Sequence, residues 1–187
     1  VVEHASDNTF NHNGYTAHTH KYSDTSVTVL HKKAKSPLCV FPGTFDPFTL
    51  GHRDVVLKAL EDYDKVIVAV ADITYRENVK DLRLRSQIAE LSVKDLTNVS
   101  IETFKGMLKD YLKENGCNII VRGLRNEEDK IYEDKIADVY KKAMPDIKIV
   151  YYTAEHPMIS SHAVRNMLSD GHTDRLDDFI FPEAQSI

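Results

Sequence analysis

Phe41-Pro42-Gly43-Thr44-Phe45-Asp46-Pro47-Phe48-Thr49-Leu50-Gly51-His52 joins two stretches of different period. Before it, Leu38-Cys39-Val40-Phe41 is a short apolar run that reads as a buried strand. After it, Val55, Val56, Leu57, Ala59 and Leu60 follow helical spacing. The chain thus leaves a strand, turns tightly at glycines and enters a helix with His52 in its first turn. Such a loop is suited to phosphate. Backbone amides and the positive helix end face the anion, and His52 can add a hydrogen bond or a positive charge.

Strand and helix patterns alternate from Pro37 onward. Strands are expected at 65–71, 99–104, 118–121 and 147–152. Helices are expected at 81–95, with Leu84, Ile88 and Leu91 on one face, and at 107–114. Two more are expected at 127–143, stopped by Pro145, and at 160–168, stopped near Gly171. This order predicts an α/β, Rossmann-like, doubly wound fold: a five-stranded parallel sheet with helices on both faces. In such sheets ligands bind beyond the carboxyl ends of the strands, near the switch in strand order. Three distinctive loops fall there. One is the opening stretch; the others are Ile120-Val121-Arg122-Gly123-Leu124-Arg125, after the fourth strand, and Ile159-Ser160-Ser161, after the fifth.

The 187 residues suffice for one domain with a proper core, and 42% of them are hydrophobic. No apolar run approaches a membrane span. A formal charge of −5 argues against nucleic-acid binding through bulk charge. An anionic substrate must then be met by individual arginines and lysines. Cys39 and Cys117 read as two buried free thiols in a reducing compartment. Residues 1–35 are rich in His, Asn, Thr, Ser and Asp, and predict a poorly ordered polar extension ahead of a domain at 36–187. Within the extension, Val27-Thr28-Val29-Leu30 suits a short strand, and His18-Thr19-His20 offers a metal-binding alternative. It has neither the basic start and apolar core of a secretory signal nor the arginines of an organelle transit peptide, so a cytoplasmic location is expected.

Holding a phosphate needs positioning and charge neutralisation. His52, at the start of a helix, is the first candidate. The Thr44 hydroxyl reads from the residues alone as turn chemistry, bonding nearby backbone. Asp46, followed by Pro47, reads as a turn or cap acceptor rather than a metal ligand. Arg122 and Arg125, placed after a buried strand in an acidic protein, look like phosphate forks. Ser160 and Ser161 open a helix, where they can cap it and offer hydroxyls and amides to a phosphate, with Arg165 one turn on.

Thr49-x-Gly51-His52 resembles the [H/T]-x-G-H signature of a nucleotidyltransferase superfamily. The Pro42-Gly43-Thr44-Phe45-Asp46-Pro47 lead-in, the Arg122-Gly123-Leu124-Arg125 block and the Ile159-Ser160-Ser161 turn resemble the phosphopantetheine adenylyltransferase family, from about Ser36 to the C-terminus. The resemblance implies transfer of AMP from ATP to 4′-phosphopantetheine. It implies His52, Thr44 and Arg122 as catalytic residues. It puts ATP against Gly43, Thr44, Phe45, His52, Gly123, Leu124, Arg125, Glu133, Met158, Ile159, Ser160, Ser161 and His162, and the acceptor against Thr44, Arg76, Leu108 and Arg122. It further implies Mg²⁺ carried with ATP, no metal held by the protein itself, and a homo-oligomer, commonly a hexamer. Departures gather on the acceptor side: Arg76 stands where the family usually has lysine, Lys130 where an aromatic is common, and Tyr140 and Asn166 fall at positions that line the acceptor pocket. His162 and Leu50 also differ from the usual residues. Two other readings remain open: a relative with a different acceptor or a CTP donor, and a non-catalytic nucleotide or coenzyme A sensor.

Overall fold

The structure, a computed structural model, describes residues 2–5, 15–32, 36–73, 79–125, 127–153 and 155–186. It divides into two compact units, Val1–Ser36 and Pro37–Ile187.

The first unit departs from the expected unstructured extension. Strands β1 (Val2–Ala5), β2 (Tyr15–Tyr22) and β3 (Thr25–Lys32) form an antiparallel sheet in the order β1-β3-β2. A two-residue turn at Ser23-Asp24 pairs Tyr22 with Thr25 and carries the register back to Tyr15 opposite Lys32. The cause is β-branching. Thr16, Thr19, Thr25, Val27, Thr28 and Val29 suit a pleated backbone although the composition is polar. Ser26 and Thr28 are buried, and the Thr28 hydroxyl meets that of Thr19 across the strands at 2.7 Å. The strand expected at Val27–Leu30 lies inside β3.

The second unit has the expected architecture. Its strands are β4 (Cys39–Gly43), β5 (Val66–Asp72), β6 (Val99–Lys105), β7 (Ile119–Leu124) and β8 (Lys148–Thr153). Every pairing is parallel, and the order is β6-β5-β4-β7-β8. Between them come α1 (Leu50–Asp62), α2 (Leu82–Ser92), α3 (Leu108–Glu114) and α4 (Glu127–Ala143), with α5 (Ser161–Ser169) following β8.

Strand side chains alternate between two cores, which is why the strand sequences are apolar throughout. Cys39, Phe41, Val66, Val68, Val70 and Val121 face one way, and pack with Val55, Val56 and Ala59 of α1 and Ala89 of α2. Val40, Ile67, Ala69 and Ile120 face the other, against Leu108, Tyr111 and Leu112 of α3 and Tyr140 of α4. Cys39 and Cys117 are buried free thiols, one in each core. Burial raises both thiol pKa values, Cys39 to about 12. A third cluster was not expected from sequence. Beyond α5, short 3₁₀ turns at Leu176–Asp178 and Pro182–Ser186 bring Ile180 and Ala184 against Val164.

Strand order reverses at β4 and β7, which are neighbours in space but lead to connections on opposite sides of the sheet. A crevice therefore opens at their carboxyl ends.

Candidate active site

That crevice is a cavity of about 300 Å³. The end of β4, the following loop and the start of α1 supply Gly43, Thr44, Phe45 and His52; the end of β7 and the residue after it supply Arg122, Gly123 and Arg125. Glu133 enters from α4, and Ile159, Ser160, Ser161 and His162 from the start of α5. Residues separated by more than a hundred positions in sequence thus share one wall. Phe41, Pro42, Gly51 and Val55 line the cavity too, although sequence reading proposed no ligand role for their side chains. Four expected contacts fall elsewhere or outside. Leu108 packs into the second core, because its helix buries that face against β4 and β5. Met158 is 82% exposed and Leu124 is not among the lining residues. Arg76 lies outside the described residues.

The Thr-x-Gly-His signature has a physical explanation in these contacts. Thr49 caps α1 in an extended conformation. Its backbone N–H donates to His52 Nδ1 at 3.0 Å, and its hydroxyl lies 2.9 Å from the same nitrogen. Because the N–H can only donate, Nδ1 must accept, and the imidazole proton sits on Nε2. Three aromatic rings surround the imidazole, with centroids at 6.1 Å (Phe41), 5.1 Å (Phe45) and 5.3 Å (Phe48). Burial, then the charges of Arg125 and Arg122, push the His52 pKa down to about 4. Of the two roles open to it, His52 therefore takes the neutral one: a fixed N–H donor rather than a cation.

Gly51 lets the start of α1 approach the turn that precedes α5. A Cβ there would lie 2.9 Å from the carbonyl oxygen of Ile159, a backbone atom that cannot swing aside. Gly51→Ala should push the start of α5 away from α1, weaken ATP binding about tenfold or more, and destabilise the fold by about 1–3 kcal/mol. Calorimetric titration and thermal melts would reveal a harmless methyl instead. Gly43 is similarly constrained, since a Cβ there would meet the Phe45 ring at 2.7 Å.

The arginines are held by carboxylates of α4. Arg122 forms a fork with Glu133, Nε to Oε2 at 2.7 Å and Nη2 to Oε1 at 2.5 Å, and its Nη1 donates to the Pro42 carbonyl at 3.2 Å. Burial pulls the Arg122 pKa down, yet Glu133 more than offsets this and the net shift is upward. Arg125 pairs with Asp129 at 2.7 Å in a more exposed position. Such a pair holds weakly and can exchange for phosphate. The expected nucleotide contact of Glu133 thus acquires a second duty, aligning Arg122.

The last turn shows the capping role suggested for it. Ser160 caps α5 by accepting from the Ala163 N–H at 3.1 Å. The Ser161 hydroxyl donates to the Pro47 carbonyl at 2.9 Å, and Arg165 donates to the Asp46 carbonyl. These bonds tie α5 to the β4–α1 loop. The Leu50 N–H, one of the free amides of α1, is taken by the Phe179 carbonyl of the C-terminal segment at 2.8 Å.

A family model described as Cytidylyltransferase-like matches residues 40–167, which include all three loops. Phosphopantetheine adenylyltransferase of Helicobacter hepaticus is 38% identical over 133 residues, covering 70% of this chain and 81% of that protein. The enzyme of that name from Aliivibrio fischeri is 36% identical over 149 residues, covering 79% and 92%. This chain belongs to the phosphopantetheine adenylyltransferase family. Among solved structures, a putative nicotinate-nucleotide adenylyltransferase from Vibrio parahaemolyticus shares the fold, with a TM-score of 0.61 at 18% identity, covering 81% of this chain and 90% of that one. A bifunctional NMN adenylyltransferase/ADP ribose pyrophosphatase from Francisella tularensis superposes with a TM-score of 0.56 at 20% identity, covering 73% of this chain and 43% of that one. In this member of the phosphopantetheine adenylyltransferase family, the three motifs converge at the topological switch of the sheet.

Proposed function

We propose that the chain transfers AMP from ATP to 4′-phosphopantetheine, giving dephospho-coenzyme A and pyrophosphate. The observation that carries this reading is the convergence of His52, Thr44, Arg122, Arg125 and the start of α5 on one cavity. An acceptor phosphate oxygen attacks the α-phosphorus in line, the bond to the β-phosphate oxygen breaks, and pyrophosphate leaves with the electron pair. His52 Nε2–H and the Phe45 amide meet the charge that builds on the α-phosphate. Arg122 and Thr44 hold the acceptor phosphate. Arg125, Gly123, the amides of Ser160 and Ser161 and the Ser160 hydroxyl cradle the departing phosphates.

Mg²⁺ enters with the triphosphate as part of the substrate, ligated by phosphate oxygens. Glu133 is engaged by Arg122, and among the described residues no group of three or more His, Cys, Asp or Glu is placed to hold a metal ion. No described helix is long and apolar enough to cross a membrane. Two buried free thiols and this reaction favour the cytoplasm.

The test is pyrophosphate release by the purified chain, crossing ATP and CTP with 4′-phosphopantetheine and nicotinamide mononucleotide. Turnover only with ATP and 4′-phosphopantetheine is expected. Release with another pair would transfer the chain to a different acceptor or donor, and release with none would favour a sensor. Residues 37–187 contain the whole cavity, so a chain starting at Ser36 should keep its kcat; loss of turnover would assign a catalytic part to the first unit.

A homo-oligomer, with a hexamer as its expected size, fits the exposed apolar residues of α4. Ile131, Tyr132 and Val139 are each more than 60% exposed and share one helix face. Val139→Asp should lower the mass measured by light scattering; an unchanged mass would remove this face from the interface.

A further inference from the structure

Arg85, on α2, is only 2% exposed. Among the described residues its hydrogen bonds all go to main-chain carbonyls. Nε donates to Lys80 at 2.9 Å, Nη1 and Nη2 both donate to Ala71 at 3.1 Å, and Nη1 donates to Thr44. The guanidinium therefore ties the end of β5 and the start of α2 to the turn that lines the cavity.

The Thr44–Phe45 peptide is trans, so its C=O and N–H point in opposite directions. With the oxygen drawn back to Arg85, the Phe45 N–H is turned away from that anchor. Among the described residues this N–H has no hydrogen-bond partner. Phe45 itself sits at φ 48°, a left-handed conformation that costs energy for a bulky residue and persists only where its surroundings enforce it. Two constraints do so: the Phe45 ring is wedged against Phe41, Phe48 and His52, and Arg85 holds the preceding carbonyl. A cation on that carbonyl also polarises the peptide, making its N–H a stronger donor.

We propose that Arg85 is a positioning residue which, through the Thr44 carbonyl, aims the Phe45 amide at the phosphate in the cavity. The proposal rests on the adenylyl-transfer reading of this site and adds a residue that does not touch substrate. Lysine keeps the charge but cannot span these carbonyls as a fork. Arg85→Lys should therefore lower kcat by about tenfold or more, with ATP affinity changed by less than about threefold. Millimolar guanidinium should restore part of the kcat of Arg85→Ala. In the native protein the Phe45 amide resonance should shift with ATP alone, and Arg85→Lys should shrink that shift. Unchanged kcat in Arg85→Lys, or a native Phe45 amide indifferent to ATP, overturns the proposal. The native amide measurement needs neither a variant nor an acceptor, so it tests the target of this positioning even where the acceptor assay fails, and the comparison with Arg85→Lys assigns the effect to Arg85.

Discussion

His52→Ala is expected to lower kcat by about 10²–10³-fold while leaving acceptor binding largely intact. The argument starts from the tautomer. Thr49 donates to Nδ1, so the Nε2 proton is fixed before any substrate arrives. A donor aimed in advance at developing charge needs no reorganisation during the reaction. Gln at position 52 offers an N–H but cannot reproduce the Thr49 contacts, and should recover only part of the loss. The second arm is pH. With a pKa near 4, His52 stays neutral across neutral and mildly acidic pH, so the kcat/KM profile of the free enzyme should lack an ionisation near pH 6.5 that disappears in His52→Gln. Stability has the opposite sign from that of a salt-bridged histidine. The unfolded chain takes up this proton near pH 6.5 and the folded chain near pH 4. The fold should therefore be undiminished by this group above pH 6.5 and lose on the order of 3 kcal/mol as pH falls to about 4. Melts of native protein and His52→Gln across that window measure the difference. A native profile with a limb near pH 6.5 that the variant lacks would show His52 acting as a cation, against the geometry.

Much of the site was legible because its signals are local. Strand, tight loop and helix follow from apolar spacing around residues 38–60, and β–α alternation fixes where the loops gather. What sequence left open depends on contacts between distant segments. The neutral state of His52 follows from Thr49 and three phenylalanines closing around it. Arg85 looks like an ordinary helical arginine until the Thr44, Ala71 and Lys80 carbonyls converge on it. The Phe179 carbonyl that caps α1 comes from a segment with no periodic pattern. Leu108 went astray for the converse reason: its apolar character suits a pocket wall and a core equally, and only packing chooses between them. The sheet of β1, β2 and β3 was not legible because the polar composition of the segment masks its β-branched residues.

Arg122→Ala is expected to abolish measurable turnover, through two effects that a second variant separates. The Arg122 fork on Glu133 is mostly buried, with side chains 21% and 12% exposed. Removing the arginine strands the carboxylate, which costs about 3–5 kcal/mol when a buried pair loses one partner. It also removes the cation proposed for the acceptor phosphate. Arg122→Met with Glu133→Leu takes away both charges and leaves apolar groups of similar volume, a change that is often neutral for stability. The double variant should therefore melt near the native temperature and still fail to turn over. Glu133→Gln alone keeps a hydrogen-bond acceptor for Arg122 but loses the ion pair. It should raise KM for the acceptor more than it lowers kcat, since a looser arginine still carries its charge. Pyrophosphate release and thermal melts on the three variants distinguish the possibilities. If the double variant recovered both stability and turnover, the pair would be a packing element, and the acceptor phosphate would have to be held by another cation.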